Sequence, residues 1–345
     1  MTHEFKNLLQ GYQNAKHIGL KSVMATVVAL DGSSYRRPGV RMLINENGQM
    51  TGAVSGGCVE KEILKQSGSV FKTGKPKMMT YDGRYRLGCE GTLFILIESF
   101  DPDPEMISSF ENILKESKPF EINSYYSKEA IDVGNWGSEI IFPNKKQYFF
   151  EKKNKHQMSK NPLLDVFNQK MQPCFKLVII GAEHDAAQLC LLASSLGWEV
   201  VVVASPSDPQ TLKYFPGAQE LVHKGPETLE FTWIDDRTAI VLMTHSYAKD
   251  LQYLLALKDT KPLYIGLLGP SNRREKIFND VIERYPLIDG TLFDVIYGPA
   301  GLNIGAETPQ EIAVSICSEI LSVMRKQEPK SLKDKTGKIH LNISL

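Results

Sequence analysis

The chain has 345 residues, in which 40 basic side chains balance 40 acidic ones, and 42% of its residues are hydrophobic. A chain of this length predicts two domains, each large enough to bury its own core. The balanced charge argues against a field that would attract nucleic acid or an anionic membrane. The apolar runs are too short to span a bilayer, and the first residues lack the apolar region of a secretion signal. We therefore expect a cytoplasmic protein with no nucleic-acid or membrane partner.

The five cysteines are irregularly spaced, which argues against a disulfide framework and fits a reducing compartment. No Cys-x-x-Cys or His-x-x-x-His pair occurs in the sequence, so the spacing does not predict a zinc site. Cys174, Cys190 and Cys317 have no motif around them, and we expect them to be core or linker residues.

Residues 1–150 predict a domain of mixed α+β type. In chain order, the hydrophobic pattern predicts a helix over 5–17, strands over 22–30, 40–44 and 49–54, a helix from 58 to about 71, and strands over 77–81 and 92–98. Asn47 and Gly48, between two of these strands, are typical of a hairpin turn. The polar residues 151–173, with several lysines, predict a solvated linker.

From residue 174 to 326, predicted strands alternate with predicted helices. The predicted strands cover 176–180, 199–203, 239–243 and 263–267. One predicted helix lies between the first two strands, and two more cover 250–257 and 309–324. Thr308 and Pro309 form a typical helix start. The alternation predicts a Rossmann-like domain with a doubly wound parallel sheet. Residues 327–345 predict a loosely held polar tail.

The most informative motif is a cysteine, Cys58, directly behind the turn Ser55-Gly56-Gly57. Two adjacent glycines allow positive φ angles and the close approach of a ligand. Because the cysteine begins a predicted helix, we expect the helix dipole to lower the pKa of its thiol and the turn's N–H groups to attract an anion. The competing interpretation is a small buried cysteine on a strand-to-helix turn, and the local pattern favours neither.

Three arginines stand close together in the loop and strand before this turn. Arg36, Arg37 and Arg41 carry forked donors that suit a phosphate or an oxo-anion. The alternative for Arg37 and Arg41 is that they brace the loop through backbone carbonyl groups.

The second domain carries a dinucleotide-binding turn with altered residues. Gly181 and Ala186 stand where a Rossmann turn has its first and third small residues, but Glu183 occupies the second glycine position. The next strand ends at Ala204 rather than at an acidic residue that would bind a ribose. Glu183 and Ala204 therefore make NAD(P) a disfavoured cofactor.

Several further residues are predicted at the carboxyl edge of the second sheet, where ligands bind in open α/β folds. His184 and His245 follow two predicted strands and either flank one ligand or satisfy local hydrogen bonds. Glycine-rich loops containing Gly266, Gly269 and Gly301 follow other strands and suggest a ligand crevice.

Taken in order along the chain, these motifs resemble those of the XdhC/CoxI family, the accessory proteins of molybdenum hydroxylases such as xanthine dehydrogenase. The resemblance rests on GSSYRRPGVRM at 32–42, SGGCVE at 55–60, GCEG at 88–91, GAEH at 181–184, LGW at 196–198, TH at 244–245, YIGLLG at 264–269 and GLNIGAETPQEIA at 301–313. Family members usually have Gly-Ala-Gly-His in the second-domain turn and Asp-x-Arg after the next strand. This chain has Glu183, Ala204 and Pro206 at those places.

The resemblance implies a chaperone that binds the molybdenum cofactor, protects it while its sulfido ligand is installed, and delivers it to an apo-hydroxylase of purine catabolism. It implies that Cys58 contacts molybdenum or holds sulfur in transit, with Glu60 and Cys89 in the same cofactor site. It also implies a molybdenum hydroxylase as partner, a cysteine desulfurase as a further partner, and a homodimer.

Two other functions stay open at this point. The first is an NAD(P)-dependent oxidoreductase or a nucleotide-carrying subunit of xanthine dehydrogenase, which the Rossmann-like half favours. The second is a scaffold that docks partners without binding cofactor. The hydroxylase itself is not favoured, because the chain lacks the clustered cysteines that iron–sulfur centres require.

Overall fold

The structure is a computed structural model that describes residues 1–32, 37–83, 91–129, 136–152 and 163–334. The chain forms two compact units, residues 1–174 and 175–345, which we call unit 1 and unit 2 and describe separately. Unit 1 has mixed α+β architecture and unit 2 is a Rossmann-like parallel-sheet unit, so the predicted fold class is confirmed.

Unit 1 contains three helices and nine strands among the described residues. They are α1 (Thr2–His17), β1 (Ser22–Asp31), β2 (Arg41–Asn45), β3 (Met50–Gly52), α2 (Cys58–Thr73), β4 (Lys77–Asp82), β5 (Thr92–Ser99), α3 (Pro104–Lys115), β6 (Phe120–Tyr126), β7 (Gly137–Ile141), β8 (Gln147–Phe149) and β9 (Asp165–Met171). The predicted hairpin is confirmed, because β2 and β3 pair antiparallel across the Asn-Gly turn.

The strands of unit 1 form two antiparallel sheets, a five-stranded sheet in the order β3-β2-β1-β5-β4 and a four-stranded sheet in the order β8-β7-β6-β9. Successive side chains of a strand point to opposite faces. Met42 of β2 therefore packs with Val59 and Ile63 of α2 on one face of the larger sheet. Its neighbour Leu43 packs on the other face with α1, α3 and the smaller sheet.

Strand β9 lies inside the segment that the sequence predicts as a linker. Residues Asp165–Met171 pair with β6 along its whole length. The strand is polar because it stands at the edge of its sheet with one side toward solvent: Asp165 and Val166 are exposed and only Met171 is buried. The boundary between the two units consequently falls after Cys174.

Helix α2 runs along the five-stranded sheet and sets the position of Cys58. Its last turn, Val70 to Gly74, lines a cavity together with Ser22 and Ser99, where β1 begins and β5 ends. A helix of 16 residues is about 24 Å long. Cys58 therefore lies at the opposite end of the sheet, where Asp31 and Asp82 both pair with Thr92.

Unit 2 contains six strands in the order β12-β11-β10-β13-β14-β15, and all neighbours are parallel. This is the 3-2-1-4-5-6 order of dinucleotide-binding folds. The elements are β10 (Lys176–Ile180), α4 (His184–Ser195), β11 (Glu199–Ala204), β12 (Ala218–His223), β13 (Thr238–Leu242), α5 (Tyr247–Ala256), β14 (Tyr264–Leu267), α6 (Ser271–Arg284), α7 (Thr291–Asp294), β15 (Ile296–Tyr297) and α8 (Pro309–Arg325), with 3₁₀ turns at Leu212–Tyr214 and Leu332–Asp334.

Helices cover both faces of the unit 2 sheet. Helices α4 and α8 pack on one face with Leu177 and Ile179 of the first strand, and α5, α6 and α7 pack on the other with Val178 and Ile180. Because both faces are buried, the central strands are continuously apolar, as is typical of parallel sheets. Within the described part of the chain, none of the helices combines the length and apolar character that a membrane span requires.

Candidate functional site

Cys58 is the first residue of α2, and its side chain is exposed. The other described cysteines, Cys174, Cys190 and Cys317, are buried. Burial raises the pKa of Cys190 to about 11 and that of Cys317 to about 12, so these two thiols stay protonated and unreactive near neutral pH. The structure thus contradicts the interpretation of Cys58 as a packing residue.

The carboxylate of Glu60 determines the shape of the turn before α2. One of its oxygens accepts hydrogen bonds from the backbone N–H groups of Val54, at 3.1 Å, and Ser55, and the other accepts one from Gly57 at 2.7 Å. Glu60 is buried, with 7% of its surface exposed. The predicted anion nest at Ser55 to Gly57 therefore needs correction, because the protein's own carboxylate already fills it.

The two glycines of the turn face open space. A Cβ atom built on either Gly56 or Gly57 would meet no atom within 4 Å. Gly57 has φ +121°, which side-chain-bearing residues rarely adopt. The turn therefore presents bare backbone beside the exposed thiol, and a ligand can approach both.

Two loops that carry other predicted site residues leave the sheet at the same end as Cys58. Arg36 and Cys89 lie outside the described residues, but the ends of their loops are described. Asp31 pairs with Thr92 at the end of β1, and the Gly83 N–H donates to Gly91 O at 3.0 Å across the base of the second loop. Arg37 is exposed. The topology thus gathers both loops at the sheet end that carries the cysteine turn.

Arg41 does not belong to this arrangement, which corrects its predicted role as an anion ligand. It is 6% exposed and points to the sheet face opposite α2, where its guanidinium carbon lies 6.0 Å from the Phe5 ring centre. Its Nη1 donates to Gly39 O at 3.0 Å and to Gln169 Oε1. Burial lowers the pKa of Arg41 to about 10. The alternative, that Arg41 braces the loop through a carbonyl group, fits these contacts.

Glu98 is a second buried charged residue in the same interior. Its carboxylate accepts hydrogen bonds from Ser138 N at 2.7 Å and Ser138 Oγ at 2.6 Å. Burial raises the pKa of Glu98 to about 7, although these bonds and the charge of Arg41 oppose the shift. No sequence motif marks this residue, because its strand reads as apolar.

In unit 2, Gly181 and His184 follow β10 and His245 follows β13, so all three lie at the carboxyl edge of the sheet. Gly181 has φ +133°, and a Cβ atom there would collide with the carbonyl oxygen of Met243. Glu183 caps α4 and is exposed. It stands where a dinucleotide fold requires the second glycine.

His245 pairs with a residue that no sequence motif marks. His245 Nε2 lies 3.7 Å from Asp185 Oδ2 in the first turn of α4. His245 also has φ +55°, in the left-handed region. Among the described residues, His184 has no such carboxylate partner. The histidine–carboxylate pair is thus His245 with Asp185.

A hydrogen-bond network centred on Asp250 and Arg273 fixes the residue before His245. Asp250, 1% exposed, accepts hydrogen bonds from Thr244 Oγ1 at 2.6 Å and from Arg273 Nη2 at 2.6 Å. Burial raises the pKa of Asp250, against the opposing effect of these bonds. The network fixes the end of β13 and is not visible in the sequence.

The remaining predicted glycines have packing reasons for their presence. A Cβ atom on Gly266 would lie 2.8 Å from Tyr264 Cε1, and one on Gly269 would lie 2.9 Å from Arg273 Cδ. Gly301 packs against Ser315 of α8, and its N–H donates to Glu319 Oε2 at 2.8 Å. The tight surroundings of these three positions favour glycine without invoking a ligand.

No group of three or more His, Cys, Asp or Glu side chains among the described residues is arranged to hold a metal ion. The role of Cys58 as a metal ligand stays a prediction. In unit 1 the exposed thiol is the chemically distinctive group; in unit 2 it is the Asp185–His245 pair.

Two family models match this sequence. The XdhC and CoxI family matches residues 17–82, and the XdhC Rossmann domain matches residues 177–320. Together the two matches cover more than half of the chain and include the Cys58 turn and the carboxyl edge of unit 2. The chain belongs to the XdhC and CoxI family.

Individual relatives extend over nearly the whole chain. A probable xanthine dehydrogenase subunit from Bacillus subtilis (strain 168) is 28% identical, over 89% of this chain and 94% of that protein. The molybdenum cofactor insertion chaperone PaoD of Escherichia coli (strain K12) is 23% identical, over 96% of this chain and 92% of that protein.

A solved structure is similar in fold to most of this chain. The crystal structure of a xanthine dehydrogenase from Bacillus halodurans matches with a TM-score of 0.74 and 25% identity. The match covers 93% of this chain and 97% of that one.

Proposed function

We propose that this protein is an accessory factor for a molybdenum hydroxylase of the xanthine dehydrogenase type. It binds the molybdenum cofactor as cargo, holds it while the sulfido ligand is installed, and delivers it to the apo-enzyme. The names of the relatives support the first part of this proposal. The observation that carries the site assignment is the exposed Cys58 thiol at the start of α2.

The chemistry of the Cys58 turn suits such a cargo. Sulfur ligands are soft ligands that suit transition metals, and the Cys58 thiol is exposed beside a turn of bare backbone. Because Glu60 occupies the Ser55 and Gly57 N–H groups, we place the phosphate of the cofactor elsewhere. Arg36 and Arg37, in the loop that leaves the same sheet end, are the proposed phosphate donors.

The proposal is tested by purifying the protein from a host that makes the cofactor and measuring the fluorescence of the oxidised pterin. The variants are Cys58→Ser, which keeps the size of the side chain, and Lys61→Ala, an exposed residue in the same helical turn. We expect pterin to accompany the wild type and Lys61→Ala and to be lost from Cys58→Ser. Equal pterin in all three proteins would contradict the assignment.

Partners and location follow from the same proposal. A molybdenum hydroxylase is the recipient, a cysteine desulfurase supplies sulfur, and the chaperone acts as a homodimer in the cytoplasm. An exposed free thiol suits a reducing compartment. Sedimentation of the purified protein, alone and mixed with apo-hydroxylase, tests the dimer and the recipient; a monomer that forms no complex would contradict both.

A second candidate function, nucleotide binding in unit 2, is favoured by one observation. The strand order and the tight turn at Gly181 are those of dinucleotide-binding folds. Glu183 and Asp185 add negative charge where the diphosphate would lie, and β11 ends at Ala204 without a ribose ligand. Calorimetric titration with NAD(H) and NADP(H) decides between the two functions. If millimolar nucleotide releases no heat, the nucleotide-binding function is contradicted and cofactor delivery is retained. Binding at micromolar nucleotide would instead support an oxidoreductase.

A further inference from the structure

Unit 1 contains a cavity of about 470 Å³ that has no part in the proposed function. It lies at the end of the five-stranded sheet that is remote from Cys58, between the last turns of α1 and α2 and the strand ends at Ser22 and Ser99. Small-molecule sites in proteins are typically clefts of roughly 300 to 1,000 Å³. The cavity therefore has the size of a metabolite site.

The wall of the cavity is partly apolar, and its mouth is open. Leu20 and Phe71, both partly exposed, provide the apolar surface, and the buried Val70 and Phe100 also line the cavity. Gly19 and Gly74 end the two helices with φ of +77° and +69°, and a Cβ atom on either would meet nothing within 4 Å. The glycines leave room for a flat or branched apolar body to enter.

The polar centre of the cavity is the carboxylate of Asp101, which already has three hydrogen-bond or ion-pair partners. Asp101 Oδ1 accepts hydrogen bonds from Tyr12 Oη at 2.8 Å and Lys16 Nζ at 2.9 Å, and its Oδ2 is 2.8 Å from Lys152 Nζ. Burial alone would raise the pKa of Asp101, but the bonds from Lys152, Lys16 and Tyr12 hold it well below its usual range. Asp101 is thus ionised and already neutralised, so it does not attract a cationic ligand.

Two further lysines at the rim are available to a ligand. Lys21 and Lys72 line the cavity and are exposed, and neither forms an ion pair with any described residue. The lining thus carries Lys16, Lys21 and Lys72 against Asp101 and Glu151, and Lys152 adds a further ammonium group. The helix ends contribute partial negative charge, which Lys16 and Lys72 offset from the last turns of α1 and α2.

We propose that this cavity binds a small amphipathic organic anion, with its apolar body against Leu20 and Phe71 and its anionic group between Lys21 and Lys72. The site is separate from the Cys58 turn and does not depend on the proposed cofactor function. Lysines beside an apolar wall select a carboxylate or sulfonate attached to a ring or chain. They select against a neutral molecule of the same shape.

The proposal is tested with 8-anilinonaphthalene-1-sulfonate, whose fluorescence rises in apolar sites, and with its neutral analogue N-phenyl-1-naphthylamine. We compare the wild type with Lys21→Ala/Lys72→Ala and with Lys65→Ala, an exposed lysine of α2 outside the cavity lining. We expect the double variant to bind the sulfonate about tenfold more weakly, since two partly exposed charge contacts are lost. Lys65→Ala should bind like the wild type.

The neutral dye distinguishes charge recognition from simple apolar binding. It should bind the wild type and the double variant equally. A second variant, Leu20→Trp, places bulk in the cavity and should weaken both dyes; circular dichroism checks that each variant is folded. Sulfonate binding that is the same in the wild type, the double variant and Leu20→Trp would overturn the proposal, because the dye would then lie elsewhere.

Discussion

The two units each place a glycine-containing turn before a helix, but the glycines do different work. At the Cys58 turn, Gly56 and Gly57 face open space, and Glu60 binds the backbone from within. At the edge of unit 2, Gly181 packs against a backbone carbonyl group and has no room for a side chain. The Cys58 turn therefore has room for a ligand beside its glycines, whereas packing alone explains why residue 181 is glycine.

The two turns also differ in where their negative charge lies. In unit 1 the carboxylate of Glu60 is buried and accepts hydrogen bonds from three backbone N–H groups. In unit 2, Glu183 is exposed and Asp185 faces His245. The first arrangement exposes a thiol, and the second exposes acidic groups where a dinucleotide would bring phosphate. This difference is why we place the cargo in unit 1.

The largest expected effect separates the two kinds of glycine. Gly181→Ala should destabilise unit 2 by roughly 3–5 kcal/mol, because the new methyl group collides with backbone at a positive φ. Gly56→Ala, the matched control, should change stability by less than about 1 kcal/mol. Urea unfolding with hydrogen exchange resolved by unit measures both. Equal losses of stability in Gly181→Ala and Gly56→Ala would contradict the distinction between a packed and an open glycine.

Removing the internal anion of the Cys58 turn should have the next largest effect. Glu60→Ala leaves three backbone N–H groups without their partner and should cost about 2–4 kcal/mol in unit 1. Glu60→Gln keeps one carbonyl oxygen and should cost less. Both variants should retain less pterin than the wild type; full retention in Glu60→Ala would mean that the turn does not need its carboxylate.

A feature of the fold or of the candidate site can be predicted from the sequence when neighbouring residues alone encode it. The start of α2 at Cys58 and the alternation of unit 2 are periodic patterns, and the structure confirms them. The role of Glu60 could be predicted from its position three residues after Gly57, where a glutamate can bind back to the backbone N–H of the N-cap residue, although the family resemblance places it among the cofactor ligands. Arg41 misleads because nothing in the sequence shows that both faces of its sheet are covered.

Other features need the tertiary structure. Strand β9 is too polar to stand out from a linker, and only its pairing with β6 reveals it. Asp185 and His245 lie on different elements, which the fold brings within 3.7 Å. The cavity near Lys21 and Lys72 is formed by four segments that are distant in sequence, within 12–22, 70–74 and 99–101 and at Glu151, and no local motif marks it.

A smaller effect concerns pH and the interior of unit 1. Glu98 has a pKa of about 7 in the folded protein against 4.5 for an ordinary glutamate. The folded state therefore binds more protons than the unfolded state between these values, and stability should fall as pH rises from about 4.5 to 7, by on the order of 2 kcal/mol. Urea unfolding at several pH values measures it.

The matched variant for this effect is Glu98→Gln, which cannot ionise and can still accept bonds from Ser138. Its unfolding free energy should be flatter across the same pH range. A wild-type stability that rises between about pH 4.5 and 7 with no change in Glu98→Gln would contradict the assignment of the buried carboxyl group.

The smallest effect tests whether His245 is strained. Its φ of +55° suits glycine better, so His245→Gly should stabilise unit 2 by about 0.5–1 kcal/mol. The conservative control, His245→Asn, should be near neutral, because asparagine tolerates this region. A loss of stability in His245→Gly would mean that the contact with Asp185 outweighs the strain.

The most direct test of the central claim is the reactivity of Cys58 in protein with and without cofactor. Alkylation by iodoacetamide is followed by mass spectrometry, with Cys174 as the buried internal reference. We predict rapid alkylation of Cys58 in the empty protein and strong protection in cofactor-loaded protein, with Cys174 unreactive in both. Equal alkylation rates of Cys58 with and without bound cofactor would contradict the placement of the cargo at this turn.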